Sequence, residues 1–511
     1  MFGMRSAPAL RPNTSELEIT MPEQSRTSLI NQAIRGTFWV YAANYSGKAL
    51  VFLSTVILAR LLTRADYGLA GYALVVIGFL DVLVDLGVGA ALIYFPENNH
   101  NKNTAFWLNL ASACILFILT YLLAPLAGEF FNDPRAVPLT RAMALTFPIS
   151  AFGNIHASLL AKHLDFNKKF IPDFVKALSK GIISITLAWA GMGAWSLVLG
   201  QVGGTAIAVI AYWMVMPWRP RLEFNPTLAK PLLKYGANIV AVDGLGVTLN
   251  NMDYLFVGRI LGAEALGVYT LAFRIPELLV KNFVNLVGNV LFPAYSKLRD
   301  DPKALKSAFL LSMRAVTLIT VPVALGLIAI ARPLILTLFT DKWVDAIPVM
   351  PLIAIYTLVR SLTFNIGNLY KAQGRPDILT KLALIKVPIL FGGLYWALTV
   401  PGSIVAVAWI QVGVALISAG LNLVVASRQL DTPFSDIMRA FQPALTGGFV
   451  MLVSVATVVW MLIGLPYFVQ LVAGVVVGML VYGGYMWWLQ RDFVVRAGTS
   501  LRSAFNRGSA V

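Results

Sequence analysis

The sequence predicts an all-α integral membrane protein of about fourteen transmembrane helices, built as two parallel six-helix repeats followed by two C-terminal helices. Three observations lead there. Apolar stretches of about 20 residues or more recur between short polar breaks. Only 13% of the residues are charged, and a motif near the start of the chain returns 199 positions later. A soluble chain needs roughly 25% charged residues to cover its surface. With 58% hydrophobic residues and a mean hydropathy of +0.74, this chain lacks them, which argues against a water-soluble enzyme.

The apolar runs give the spans. They are expected at 36–62, 67–95, 104–129, 137–162, 170–191, 194–216, 235–261, 266–291, 308–330, 348–371, 379–399, 402–426, 443–463 and 467–489. Residues 1–35 are polar, hold Pro8, Pro12 and Pro22, and contain no apolar run ending in a small-residue cleavage site. They read as a cytoplasmic tail rather than a signal peptide. The divisions that follow are a first lobe over 36–216, a cytoplasmic linker over 217–234 and a second lobe over 235–426. An extra helix pair occupies 427–489, and a cytoplasmic tail covers 490–511. Cys114, the single cysteine, lies inside a span and offers neither a disulfide framework nor a thiolate metal site. His100, His156 and His163 have no metal-ligand spacing, and no glycine loop of the ATP-binding type occurs. No cofactor is expected.

Basic residues then set the orientation. The two tails and alternate loops on one side hold twenty-four Lys and Arg, among them Arg5, Lys102, Lys168, Arg219, Lys297, Lys371, Arg439 and Arg507. The opposite loops hold seven: Arg60, Arg64, Arg135, Arg141, Arg259, Arg332 and Lys342. Basic loops stay in the cytoplasm, so both termini are expected there. Much of the net charge of +16 is therefore topology and calls for no nucleic-acid partner.

The duplication rests on residues 58–68, LARLLTRADYG, and 257–267, VGRILGAEALG. At this offset Arg60 meets Arg259, Leu62 meets Leu261, Gly68 meets Gly267 and Gly89 meets Gly288. Further on, Ala124-Pro125-Leu126 corresponds to Arg332-Pro333-Leu334, so the offset drifts as loop insertions would make it. Copies of six spans share orientation and are related by an axis along the membrane normal. Two such lobes rocking about a central cavity make a transporter architecture.

ILARLLTRADYG (57–68), DLGVGAALI (85–93), GMGAWSLVLGQ (191–201), PWRPRL (217–222) and NNMDYLFVGRILG (250–262) together resemble the bacterial polysaccharide transporters. The similarity, over about residues 30–430, is to the oligosaccharide flippases of lipopolysaccharide and exopolysaccharide biosynthesis. These belong to the multidrug/oligosaccharidyl-lipid/polysaccharide superfamily. The resemblance implies a multi-pass protein of the bacterial inner membrane that turns over undecaprenyl-diphosphate-linked oligosaccharide. Its partners would be that lipid-linked oligosaccharide, membrane lipids, and a polysaccharide polymerase with its chain-length proteins. It assigns no individual binding residue on this chain.

Charges within the spans supply the candidate site. An ionisable residue at mid-bilayer costs about 2.5–3.5 kcal/mol on insertion scales and normally faces a cavity or a partner. Lys48, Lys180, Arg274, Lys281, Arg360 and Lys386 lie too deep to be loop residues. With Asn250 and Asn251 they are the candidate lining of a substrate cavity. Arg and Lys donate to phosphate oxygens, so a cationic cavity suits a lipid diphosphate and suits an organic cation badly. Asp81, Asp85, Asp243, Asp253 and Glu277 are the candidate ion-coupling carboxylates. Other roles stay open: Lys48 with Asp81 as a buried pair, Asp85 in a turn, and Arg274, Glu277 and Lys281 as a self-neutralised stripe beside Pro276. Lys48, Asp81 and Asp85 all meet valine at the 199 offset, so the duplicated fold does not require them.

Two rivals remain. A cation-coupled multidrug exporter of the same superfamily would want an acidic cavity and usually twelve spans. A membrane glycan polymerase would want a sizeable outside loop, and the outside loops here are short. No nucleophile and base stand together, and no enzymatic activity is expected.

Overall fold

The computed structural model describes residues 47–94, 98–163 and 165–489. The expected tails over 1–35 and 490–511, and residues 36–46 of the first span, lie outside the described residues. The first half holds α1 (residues 47–61), α2 (Arg64–Val84), α3 (Val88–Tyr94), α4 (Asn99–Phe131), α5 (Ala136–Ala144), α6 (Thr146–Lys162), α7 (Phe166–Trp189) and α8 (Ala194–Val215). The second holds α9 (Pro226–Pro276), a π turn (Glu277–Lys281), α10 (Asn282–Leu298), α11 (Pro302–Ala329) and α12 (Ala331–Leu338). After a 3-10 turn (Asp341–Ala346) come α13 (Val349–Ala372), α14 (Pro376–Thr399) and α15 (Ile404–Gln429). The extra pair is α16 (Phe434–Met461) and α17 (Tyr467–Leu489). The fold is all-α, and the protein is a multi-pass membrane protein.

Eleven helical runs among the described residues are long and apolar enough to cross a bilayer, against the fourteen expected. Three places account for the gap. α1 is described only from residue 47, and α7 carries Asp173, Lys176 and Lys180 within one span's length. The run Pro226–Lys281 counts once although it doubles back. Gly262 there has φ 82° and ψ −174°, a backbone that favours glycine. Sixteen residues of straight helix would hold Asp253 and Tyr269 about 24 Å apart. Instead the Tyr269 hydroxyl donates to Asp253 Oδ2 at 2.8 Å. The two arms of α9 therefore form an antiparallel hairpin.

A second break parts α2 from α3, where Leu86 (φ 48°) and Gly87 (φ 67°) are left-handed. Carbonyls freed in an apolar setting need partners inside the protein. α4 supplies them: Ser112 Oγ donates to Leu83 O at 3.1 Å, and Asn109 Nδ2 to Val84 O at 3.4 Å. A third irregularity follows Pro276, which lacks the N–H that would continue the ladder. The chain widens there into the π turn Glu277–Lys281.

The interior is divided unevenly between the two ends of the bundle. At the end where α1 and the first arm of α9 finish, one core joins both halves and includes Tyr72, Phe131, Tyr269, Phe339 and Trp343. At the other end the cores are smaller: one around Phe106 and Ile155 joins the first half to the start of α9 through Leu232, and one around Tyr295, Phe309 and Tyr370 belongs to the second half.

The inter-half segment is strapped to the first half at that other end. Trp107 Nε1 donates to Arg221 O at 2.8 Å, Asn103 Nδ2 to Glu223 Oε2 at 3.0 Å, and the Asn225 amide to Thr104 Oγ1 at 3.2 Å. His156 is buried against Trp213 and Trp218. Helix α9 begins at Pro226, so residues 226–234 of the expected linker are helical and the connection is shorter than 217–234.

Candidate functional site

The expected cationic residues gather at two cavities rather than one. The first, of about 220 Å³, lies between α1, α2, α7, α8 and the second arm of α9. Lys180 and Arg274 supply its charge, with Ser54, Thr55, Tyr67, Ser184 and Thr270 as neutral polar groups. The placement follows helical spacing. Ala177, Lys180, Gly181 and Ser184 recur at intervals of three and four, as do Val51, Ser54, Thr55 and Leu58, so each set shares one face. Gly181 lets α1 approach: a Cβ there would collide with Ser54. Among the described residues, neither Lys180 nor Arg274 has an ion-pair or side-chain hydrogen-bond partner. Both cations keep their donors free for an incoming anion.

The second cavity, of about 80 Å³, lies between the π turn, α10 and α13 and holds Glu277, Lys281, Tyr356 and Arg360. Its charges are already engaged. Lys281 Nζ meets Glu277 Oε1 at 2.7 Å. The Arg360 guanidinium donates to Tyr356 Oη at 2.8 Å and to Asn250 Oδ1 at 3.0 Å, tying α13 to α9. Asn250 and Asn251 also donate back to Gly246 O and Val247 O on their own helix, at 2.6 and 2.9 Å.

The remaining candidates are placed differently. Lys48 is half-buried on α1, one turn before Val51, and lines neither cavity. Lys386 sits in a shallow crevice between α14 and α15 with Ile385, Ile417 and Ser418. Asp81 is exposed on α2, and Asp243 is exposed on the first arm of α9. Asp85 ends α2 and accepts from the Gly89 amide at 3.0 Å and from Asn109 Nδ2 at 3.0 Å, so its carboxylate caps the start of α3. Asp253 is buried at 2% exposure and held by Tyr269.

Tyr67, Ser184, Thr270 and Tyr356 were not among the expected site residues. Their neutral side chains cost little inside a span and give no signal there. Ser184, Thr270 and Tyr356 are marked only by lying four residues from Lys180, Arg274 and Arg360, and Tyr67, on α2, has no such mark.

Comparison with known proteins agrees with this architecture. The chain is 29% identical over 362 residues to the lipopolysaccharide biosynthesis protein WzxC of Escherichia coli, covering 70% of this chain and 74% of that one. It is 28% identical over 425 residues to the teichuronic acid biosynthesis protein TuaB of Bacillus subtilis, covering 81% and 87%. Among solved structures it resembles the lipid II flippase MurJ in an inward closed conformation. The TM-score is 0.69 at 14% identity, over 89% of this chain and 100% of that one. An inward-facing multidrug transporter of the MATE family matches with a TM-score of 0.61 at 16% identity, over 76% and 96%. At such identities the two structures speak for the fold alone. The family model for polysaccharide biosynthesis proteins matches residues 57–348, more than half of the chain, and the protein belongs to that family.

Proposed function

We propose that this protein carries undecaprenyl-diphosphate-linked oligosaccharide across the bacterial inner membrane by alternating access between its two halves, in lipopolysaccharide or exopolysaccharide biosynthesis. The observation that carries the reading is the cavity holding Lys180 and Arg274, with no carboxylate among the described residues that line it. A diphosphate has the complementary sign, and fork-shaped and point-like donors both suit its oxygens. The relatives named for lipopolysaccharide, teichuronic acid and succinoglycan biosynthesis support the glycan part. The multidrug reading is weaker, because an organic cation would meet like charge in this cavity.

The reading assigns roles as follows. Fourteen crossings arise from the eleven apolar runs, with α1, α7 and the second arm of α9 added. Both termini and the strapped inter-half segment face the cytoplasm. Each half is a six-span repeat, and α16 and α17 are additions. The chain carries substrate without chemical conversion and works beside a polymerase and its chain-length proteins. A headgroup with about two negative charges gains about 4–5 kcal/mol on leaving a cytoplasm held at −100 mV, provided the cavity cations stay at fixed depth. Asp81 and Asp243, which have no side-chain partner among the described residues, are the carboxylates most available to carry a proton or sodium ion on the return step; Asp85, Asp253 and Glu277, each already engaged, are weaker candidates.

Two experiments test this. A deletion strain should accumulate lipid-linked repeat units on the cytoplasmic leaflet, and proteoliposomes should flip them without ATP. Absence of both would overturn the reading. Reporter fusions at 130, 262 and 343 should report the outside, and at 165, 225 and 300 the cytoplasm; a consistent inversion would overturn the orientation.

A further inference from the structure

Arg60 and Arg259 are the one charged pair that the duplicated segments share, and the structure gives them reciprocal contacts. Arg60, at the end of α1, donates from Nε to Leu338 O at 2.9 Å and from Nη2 to Thr337 O at 2.6 Å. These are the last carbonyls of α12, in the other half. Arg259, at the end of the first arm of α9, donates from Nη1 to Glu129 O at 2.9 Å and to Phe130 O. These are the last carbonyls of α4, in the first half. Ala124-Pro125-Leu126 and Arg332-Pro333-Leu334 are 208 positions apart, and the same offset relates Glu129 to Thr337 and Phe130 to Leu338. Each arginine therefore reaches the equivalent pair of atoms in the opposite half.

Neighbouring contacts cross in the same reciprocal way. Trp343 Nε1 donates to Ala59 O at 2.8 Å, and the Tyr72 hydroxyl to Gly258 O at 3.3 Å; each acceptor directly precedes a latch arginine. Gly68 lies against the Ala263 backbone and Gly267 against the Arg64 backbone, so a Cβ at either glycine would collide with the other half. Residues 64 and 263 are themselves 199 apart.

We infer that Arg60 and Arg259 are a two-fold-related pair of latches that hold the two halves shut at the end of the bundle opposite the inter-half segment. The chemistry suits a latch. The last carbonyls of a helix lack intrahelical partners and carry the negative end of its dipole, so a guanidinium is held by charge and by hydrogen bonds together. Arg60 contacts backbone carbonyls and Arg259 contacts backbone carbonyls and Asn132 Oδ1, at 2.8 Å, both at exposed helix ends, so they can release without unfolding a core. On one side the latch is reinforced, since Arg64 also pairs with Asp345 and Lys342 Nζ donates to Arg60 O at 2.8 Å. The largest core spans both halves at this end and puts a closed contact here; at the other end the halves meet through Leu232 and through Gly236 against the Leu86–Gly87 backbone. Opening toward this side requires both latches to release together. The duplicated arginines thus belong to closing the path, whereas Lys48, Asp81 and Asp85 have no counterpart in the second copy.

The test uses the full chain with Cys114→Ser and a reporter Leu74→Cys, whose side chain faces the first cavity about 15 Å along α2 from this end. A membrane-impermeant maleimide is added outside right-side-out vesicles. Slow labelling is expected in the parent, about tenfold faster in Arg60→Ala or Arg259→Ala, and about a hundredfold faster in the double variant. A double variant that labels at the parent rate overturns the latch. So does loss of thermal stability with unchanged labelling, which would make the arginines static helix caps. Should the alanine variants fail to accumulate, spin labels at Leu61→Cys and Val344→Cys in the milder Arg259→Lys variant give a second measure. A longer distance population is expected there, and an unchanged single distance overturns the latch. Only the naming of this end as the outside rests on the transport reading. Neither readout uses a glycan, so failure of the latch and failure of the proposed substrate remain distinguishable.

Discussion

The two cavities contain similar residues and differ in what those residues already hold. Lys180 and Arg274 face about 220 Å³ of space with no carboxylate partner. Lys281 and Arg360 face about 80 Å³ with their donors committed to Glu277, Tyr356 and Asn250. An anion entering the first cavity meets cations ready to bind. In the second it must displace existing bonds, each of which offsets part of what the anion would gain. Counting cations within the spans therefore does not locate a phosphate site; counting uncommitted ones does.

The sharpest way to break this comparison is to remove the uncommitted cations. A hydrogen bond to a charged group contributes about 1.5–3 kcal/mol, and about 1.4 kcal/mol is a factor of ten. Arg274→Ala and Lys180→Ala should each lower flipping of lipid-linked oligosaccharide in proteoliposomes by about tenfold to a hundredfold at unchanged protein level. Lys180→Arg should retain much of the activity. If both alanine variants flip normally, the first cavity is not the headgroup site.

Arg360 should behave differently. Its bonds join α13 to the first arm of α9, so Arg360→Ala should cost about 1–3 kcal/mol of stability, read as a lower melting temperature in detergent. Flipping per folded molecule should fall less than in Arg274→Ala. A complete loss of flipping with unchanged melting would exchange the roles of the two cavities.

Asp85 offers a smaller effect. Its carboxylate accepts from Gly89 and Asn109 across the α2–α3 break, and an amide in its place must turn a donor toward one of those donors. Asp85→Asn should lower stability by about 1–2 kcal/mol and leave the response of flipping to an imposed pH gradient unchanged. Loss of that response without loss of stability would return Asp85 to the ion-coupling carboxylates.

The all-α membrane fold was legible in the sequence because the bilayer simplifies the code: apolar length marks spans. The pairing of Lys180 with Arg274 was not, since the two face one cavity only because α7 packs on α8 while the second arm of α9 packs on α2. Nor was the engagement of Arg360's donors, because its partners Asn250 and Tyr356 are uncharged. The Arg60 and Arg259 repeat stood out as a duplication, but backbone carbonyls carry no sequence signature, so what the arginines touch could not be read. For Asp85 the sequence left an ion-coupling carboxylate and a turn both open; the structure places it where α2 stops, with Leu86 and Gly87 left-handed behind it.

The smallest expected effect sharpens the comparison from the other side, by freeing a cation instead of deleting one. Glu277→Gln removes the carboxylate that holds Lys281, converting the second cavity toward the condition of the first. Lys281 and Glu277 are 50% and 32% exposed, so their pair is worth no more than about 1 kcal/mol. Releasing it should tighten binding of a diphosphate lipid by up to about fivefold, measured by displacement of a labelled lipid in nanodiscs, and the gain should shrink with added salt. Lys281→Ala in the Glu277→Gln background should cancel it. A gain that survives this second change would mean that Glu277 repels the headgroup directly, at a distance and without Lys281. The second cavity would then be a barrier on the path rather than a spare site beside it.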